Sequence, residues 1–130
     1  MQKSLAGLLR SLLHDALASC PQLIAEVLPR VWDQVRSTPW QAQTAPHISD
    51  SDVKQAFFPL IKNPKLYKKH CFCFFIDGVD EYEGTPQHDQ KHMVDLLHGW
   101  TDDASSDVKL CASSREHNVF MNAFPSEQRL

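Results

Sequence analysis

Asp77-Gly78-Val79-Asp80-Glu81 gathers three carboxylates within five residues, directly after the apolar run Cys71 to Ile76. Acids so placed suit a hard divalent cation and the water beside it. Magnesium gives up its hydration shell reluctantly, so one carboxylate would hold the hydrated ion through water. Another would orient or deprotonate a water beside a terminal phosphate. Gly78 gives the backbone freedom to turn at this point. Arg115 closes a second apolar segment, and its guanidinium is suited to contact a phosphate. The plain alternatives are a solvated acidic turn and a surface arginine paired with Glu116. Structural context decides between such readings.

That context is a strand, a helix and a second strand. Cys71 to Ile76 is apolar at every position, as expected of a strand buried on both faces in a parallel sheet covered by helices. Met93, Leu96, Leu97 and Trp100 recur at helical spacing and predict a helix over 88–100. An Asp- and Ser-rich loop from Thr101 to Asp107 leads to a strand beginning at Val108 and reaching Arg115. A strand, a helix and a strand over this distance make a βαβ unit with a right-handed crossover. In such sheets ligands bind beyond the carboxyl ends of the strands, where Asp77 and Arg115 would both emerge.

Upstream, residues 1–62 read as mainly helical. Leu5, Leu8, Leu9, Leu12, Leu13, Ala16 and Leu17 form a wide apolar stripe on a helix from Gln2 to Ser19. Cys20-Pro21 closes it, and Pro21 can open the next helix. That helix carries Leu23, Ile24, Val27, Leu28, Val31, Trp32 and Val35, and Pro29 should kink or split it. Residues 37–47 lack periodicity and read as a loop. Ser49 or Asp50 caps a helix bearing Val53, Ala56, Phe57, Leu60 and Ile61. A short final helix through Val119, Phe120 and Phe124 ends at Pro125.

Composition narrows the class. With 130 residues, 42% hydrophobic and 22% charged, the chain can bury one core. The net charge of -3 and the lack of a basic stripe argue against a nucleic-acid partner. No window approaches a membrane span, and the leucines near the start are interrupted by Arg10, Ser11, His14 and Asp15, unlike a secretory signal. A cytoplasmic, soluble protein is the expectation. Cys20, Cys71, Cys73 and Cys111 lack paired metal-ligand spacing and read as reduced core residues. His88 and His92 stand one helical turn apart, superficially like a zinc-hydrolase helix. Asp89 replaces the general-base glutamate and no third ligand is evident, so exposed histidines account for the pair better.

Phe74-Phe75-Ile76-Asp77-Gly78-Val79-Asp80-Glu81-Tyr82-Glu83-Gly84 resembles the Walker B motif of NACHT-type NTPases, in the STAND class of signal-transduction ATPases. Leu110-Cys111-Ala112-Ser113-Ser114-Arg115, followed by Asn118-Val119-Phe120 and Ala123-Phe124, resembles the sensor strand that comes next. Gln2-Lys3-Ser4-Leu5-Ala6-Gly7-Leu8-Leu9-Arg10-Ser11-Leu12-Leu13 is similar to the helix upstream of Walker B in the fungal, nephrocystin-like N-terminal branch. The resemblance implies an α/β fold with a three-layer αβα parallel sheet. It implies Asp77 as the Mg²⁺-associated acid, Asp80 and Glu81 as the catalytic pair that positions or activates water, and Arg115 as the nucleotide sensor. It also implies ATP or GTP as ligand, self-oligomerisation on nucleotide exchange, and a part in fungal non-self recognition and cell death.

One part of the family pattern is not among these residues. A phosphate-binding loop needs G-x-x-x-x-G-K-[ST], and none of Gly7, Gly78, Gly84 and Gly99 is followed by Lys-Ser or Lys-Thr. The expectation is therefore a partial core over 1–130, lacking the first strand, the P-loop and the second strand, with the Walker B strand at 71–77 and the sensor strand at 108–115. The alternative is a remnant or protein-interaction module with no nucleotide binding of its own.

Overall fold

The computed structural model describes residues 4–42, 44–62, 71–82, 90–103, 108–115 and 122–124. Helix α1 spans Leu5–Ser19 and starts where the Ser4 side chain accepts a hydrogen bond from the Gly7 amide. Its stripe of Leu5, Leu9, Leu12, Leu13 and Ala16 is buried. Pro21–Leu23 forms one 3-10 turn ahead of the short helix α2, Ile24–Val27. Pro29 splits the following pattern as expected. Leu28 leaves helical geometry at φ -127° and ψ 58°, and Pro29 takes the first turn of α3, Pro29–Ser37.

Helix α4, Asp50–Lys62, begins at a reciprocal cap of the kind the sequence suggested. The Asp52 amide donates to Ser49 Oγ at 3.2 Å, while the Asp52 carboxylate accepts from the Ser49 amide at 2.9 Å. The same carboxylate accepts from Arg30, which ties α3 to the start of α4. Those hydrogen bonds, Arg30's first, hold Asp52 well below the ordinary carboxylate range. Arg10 pins the other side, donating to the Ile48 carbonyl at 2.9 Å and to Asp50 at 2.8 Å. These polar ties orient α4 so that Val53, Ala56, Phe57, Leu60 and Ile61 face α1 and the core.

Strands β1, Phe72–Ile76, and β2, Val108–Ala112, pair in parallel across helix α5, Gln90–Asp103. The register sets Phe72 opposite Val108, Phe74 opposite Leu110 and Ile76 opposite Ala112. Helix α5 runs three residues beyond the expected Trp100, taking up part of the segment read as a loop. His88 and the segment from 116 to 121 lie outside the described residues, as does most of the expected final helix.

Two expectations fail, for one physical reason. Strand β1 alternates strictly, with Phe72, Phe74 and Ile76 buried while Cys73 and Phe75 are exposed, Phe75 at 75%. Three of the four cysteines are not core residues either: Cys71, Cys73 and Cys111 are exposed, whereas Cys20 is half-buried against the core. Among the described residues the helices cover one face of the sheet, so apolar side chains of the other parity meet solvent. The described residues make a mixed α/β fold with one sheet face packed by helices and the other carrying exposed Cys73 and Phe75.

The packed face is joined to the helices through aromatic rings. Trp100 of α5 stacks on Phe57 of α4 with centroids 4.8 Å apart and planes 5° apart, and meets Phe74 of β1 at 6.0 Å. Truncating a buried aromatic removes its transfer energy and leaves a cavity. Phe57→Ala should therefore cost about 3–5 kcal/mol in urea unfolding. Phe75→Ser, on the open face, should change stability by less than about 0.5 kcal/mol.

Candidate functional site

The strand ends meet in a set of hydrogen bonds centred on Ser113, the residue after β2. Its amide donates to the Ile76 carbonyl at 2.8 Å and its carbonyl accepts from the Val79 amide at 3.0 Å. Its hydroxyl donates to Asp77 Oδ1, and the Gly78 amide donates to that hydroxyl at 3.1 Å. Thus the parallel pairing continues past the strands and fixes the Asp77 carboxylate at their carboxyl end. Sequence reading placed Ser113 only as a strand residue. Its role follows from the register, which aligns it with Asp77.

At Gly78 the chain turns through left-handed geometry, φ 68° and ψ 44°, the one described residue with positive φ. A side chain at Gly78 would have ordinary contact with Glu81, 3.5 Å to its Cδ, so the backbone angle, not space, calls for glycine. Val79–Glu81 then forms a single 3-10 turn. Val79 enters the core, Asp80 turns inward and Glu81 stays exposed.

The three acids therefore have different surroundings. Asp80 is buried, its side chain 3% exposed, and accepts from Arg115 twice: from the backbone amide at 3.1 Å and from Nε at 2.5 Å. The hydrogen bond from the Arg115 side chain holds Asp80 below the usual carboxylate range, against the opposing effect of burial. The same contact raises the Arg115 guanidinium above its ordinary value, with a smaller contribution from Glu81. Arg115 itself is 77% exposed, so one edge of its guanidinium grips Asp80 while the rest faces outward. Gln90, at the start of α5, donates to the Asp80 carbonyl at 3.3 Å and secures the turn from behind.

All four residues singled out in the sequence, Asp77, Asp80, Glu81 and Arg115, lie at one edge of the sheet. Asp77 and Glu81 present exposed carboxylates there, and Asp80 serves as the internal partner of Arg115. Among the described residues no three His, Cys, Asp or Glu side chains gather closely enough to cage a metal ion. Magnesium does not require such a cage, since it usually keeps several waters and takes one or two carboxylates. Exposed Asp77, held by Ser113 and followed by the exposed Glu81 at the end of the 3-10 turn, fits that mode. His92 is an exposed residue of α5.

A family model described as Nephrocystin 3, N-terminal, matches residues 1–115. The match runs from ahead of α1 to Arg115 and so takes in every residue of this edge. No curated protein and no solved structure matches the chain.

Two substitutions test the geometry. Gly78→Ala forces a β-carbon into left-handed backbone and should lose about 1–2 kcal/mol. Asp80→Asn should show its effect through pH. A carboxylate depressed in the folded state adds stability that is present above its unfolded value of ~3.9 and is lost as pH falls through the folded value. The stability gap between wild type and Asp80→Asn should hold from pH 7 down to about pH 5 and shrink at lower pH, read by urea midpoints at each pH. A gap that stays constant down to pH 2 would remove the Asp80–Arg115 pair from the account.

Proposed function

We propose a function that proceeds from kinship: the chain belongs to the nephrocystin 3 N-terminal family, and its strand-end acids act as the cation- and water-handling half of a nucleoside-triphosphate site. On this reading the chain is part of a NACHT-type, STAND-class switch, and Asp77 to Glu81 is its Walker B segment. The observation that carries it is the alignment of Asp77 and Arg115 at the carboxyl ends of two adjacent parallel strands, tied by Ser113. That is the edge at which open parallel sheets bind ligands.

Asp77, its orientation fixed by the Ser113 hydroxyl, would be the residue that holds Mg²⁺. When bound, the cation offsets charge on the phosphate oxygens. Glu81, the exposed acid of the 3-10 turn, orients the attacking water. Asp80 acts through Arg115, holding the guanidinium so that its outward edge faces a terminal phosphate. The phosphates themselves need a cradle of backbone amides and a lysine. No such loop lies within the 130 residues, so that half of the site comes from a stretch of polypeptide outside them. Nucleotide exchange in the completed core then controls self-oligomerisation, in a cytoplasmic role allied to the fungal non-self-recognition branch.

A second reading, a protein-interaction module without nucleotide binding, is favoured by the exposed Phe75 face of the sheet. The two are separated by cation binding. Mn²⁺, standing in for Mg²⁺, should selectively broaden the amide resonances of Asp77, Gly78 and Glu81 in a ¹⁵N-labelled sample, and Asp77→Ala should abolish the effect. Calorimetric titration with ATP·Mg²⁺ should give an affinity no tighter than about millimolar, or about -4 kcal/mol, with no hydrolysis. Uniform broadening with no dependence on Asp77 would favour the interaction module. Micromolar ATP affinity would overturn the assignment of the phosphate cradle to residues outside this chain.

A further inference from the structure

Helices α4 and α5 leave a recess between their outer faces, closed at one side by Leu5 and Leu9 of α1. Its volume is about 450 Å³. The Phe57–Trp100 stack lines it, and it shares no residue with the Asp77–Arg115 edge. Clefts of ~300–1,000 Å³ with apolar, aromatic walls and a few polar groups are typical of small-molecule sites.

Gly99 opens the α5 side. A β-carbon built there meets nothing within 4 Å. Glycine in a helix interior is less stable than alanine, and no neighbour in the fold demands it here. What its missing side chain preserves is the space of the recess. On the α4 side the rim is cationic: Lys54 and Lys62 both line it, and the Lys62 ammonium lies 5.2 Å from the centre of the Phe58 ring. On the α5 side stand His92 and Asp95, the latter with its carboxylate 4.0 Å from Lys91.

We propose that this recess is a binding site for an amphipathic monoanion, a molecule with an apolar body and one carboxylate, such as a long-chain fatty acid. The apolar body lies over Phe57 and Trp100 in the space above Gly99, and the carboxylate meets the lysines of α4. Among the described polar groups of the rim, the lysines make the α4 side the anion-binding one, while Asp95 turns the carboxylate away from α5.

Dodecanoate is a suitable probe, used below its micelle concentration on the full chain. Trp32→Phe and Trp40→Phe leave Trp100 as the only reporter; the two replaced rings are 37% and 79% exposed. Saturable change in Trp100 emission, with a dissociation constant in the micromolar range, is the expected result. Gly99→Leu should weaken binding at least tenfold without lowering the melting temperature, because it fills open space. The Lys54→Glu, Lys62→Glu double variant should weaken dodecanoate at least tenfold and reverse the preference toward dodecyltrimethylammonium. Absence of saturation in folded wild type would overturn the proposal, as would equal binding of both surfactants that ignores Gly99→Leu. Binding of an acidic amphipathic peptide, with dodecanoate failing to compete, would also overturn it and make the recess a protein contact.

Discussion

The contact between Phe57 and Trp100 holds the two halves of this molecule together. The described elements up to Lys62 are all helical, those from Phe72 to Ala112 form the βαβ unit, and this stacked pair is where α4 meets α5. Trp100 also reaches Phe74, so one indole touches a helix of the first half and a strand of the second. Aromatic pairs combine a large buried area with a preferred geometry, which suits them to fixing an angle between elements. A two-stranded sheet has little independent stability. Packing of β1 and β2 against Trp100 and its neighbours is therefore what keeps the strand ends in register, and the strand ends carry every acid of the candidate site. The geometry at Asp77 thus rests on ring contacts in the core.

That dependence explains which features were legible in the sequence. Apolar spacing identified α1, α4 and α5, because each buries one stripe and the stripe repeats at the helical period. Pro29 and Ser49 marked boundaries through local constraints that operate in any fold, a fixed φ and a capping hydroxyl. The apolar run of β1 was legible as a strand but not as to its surroundings. Phe74 and Phe75 are the same residue type, yet one is buried and the other open, because burial depends on which faces other elements cover. Composition along six residues does not contain that information.

The acidic turn was legible in part, for a related reason. Its position after an apolar strand placed Asp77, Asp80, Glu81 and Arg115 near one edge, and they are found there. The division of labour among the acids was not legible. It arises from the left-handed turn at Gly78 and the 3-10 turn after it, which rotate Asp80 inward and leave Glu81 outside. Ser113 escaped notice because a serine at a strand end is unremarkable until the register sets it beside Asp77. Serine hydroxyls act here as local clamps: Ser4 and Ser49 fix helix starts by the same donor and acceptor chemistry.

Charge sets the order in which this edge could be used. The edge carries three carboxylates and one guanidinium, and that guanidinium is already engaged by Asp80. Asp77 and Glu81 therefore give the edge a negative character that a polyphosphate would meet as repulsion. On the proposed reading a divalent cation would reverse this, because it would be the largest local charge beside the acids. Arg115 cannot do the same alone, since pulling its guanidinium away would break an ion pair with a buried carboxylate, a costly change. If the edge works as proposed, the cation would be taken before the phosphate, with Arg115 reaching outward while its Nε stays on Asp80.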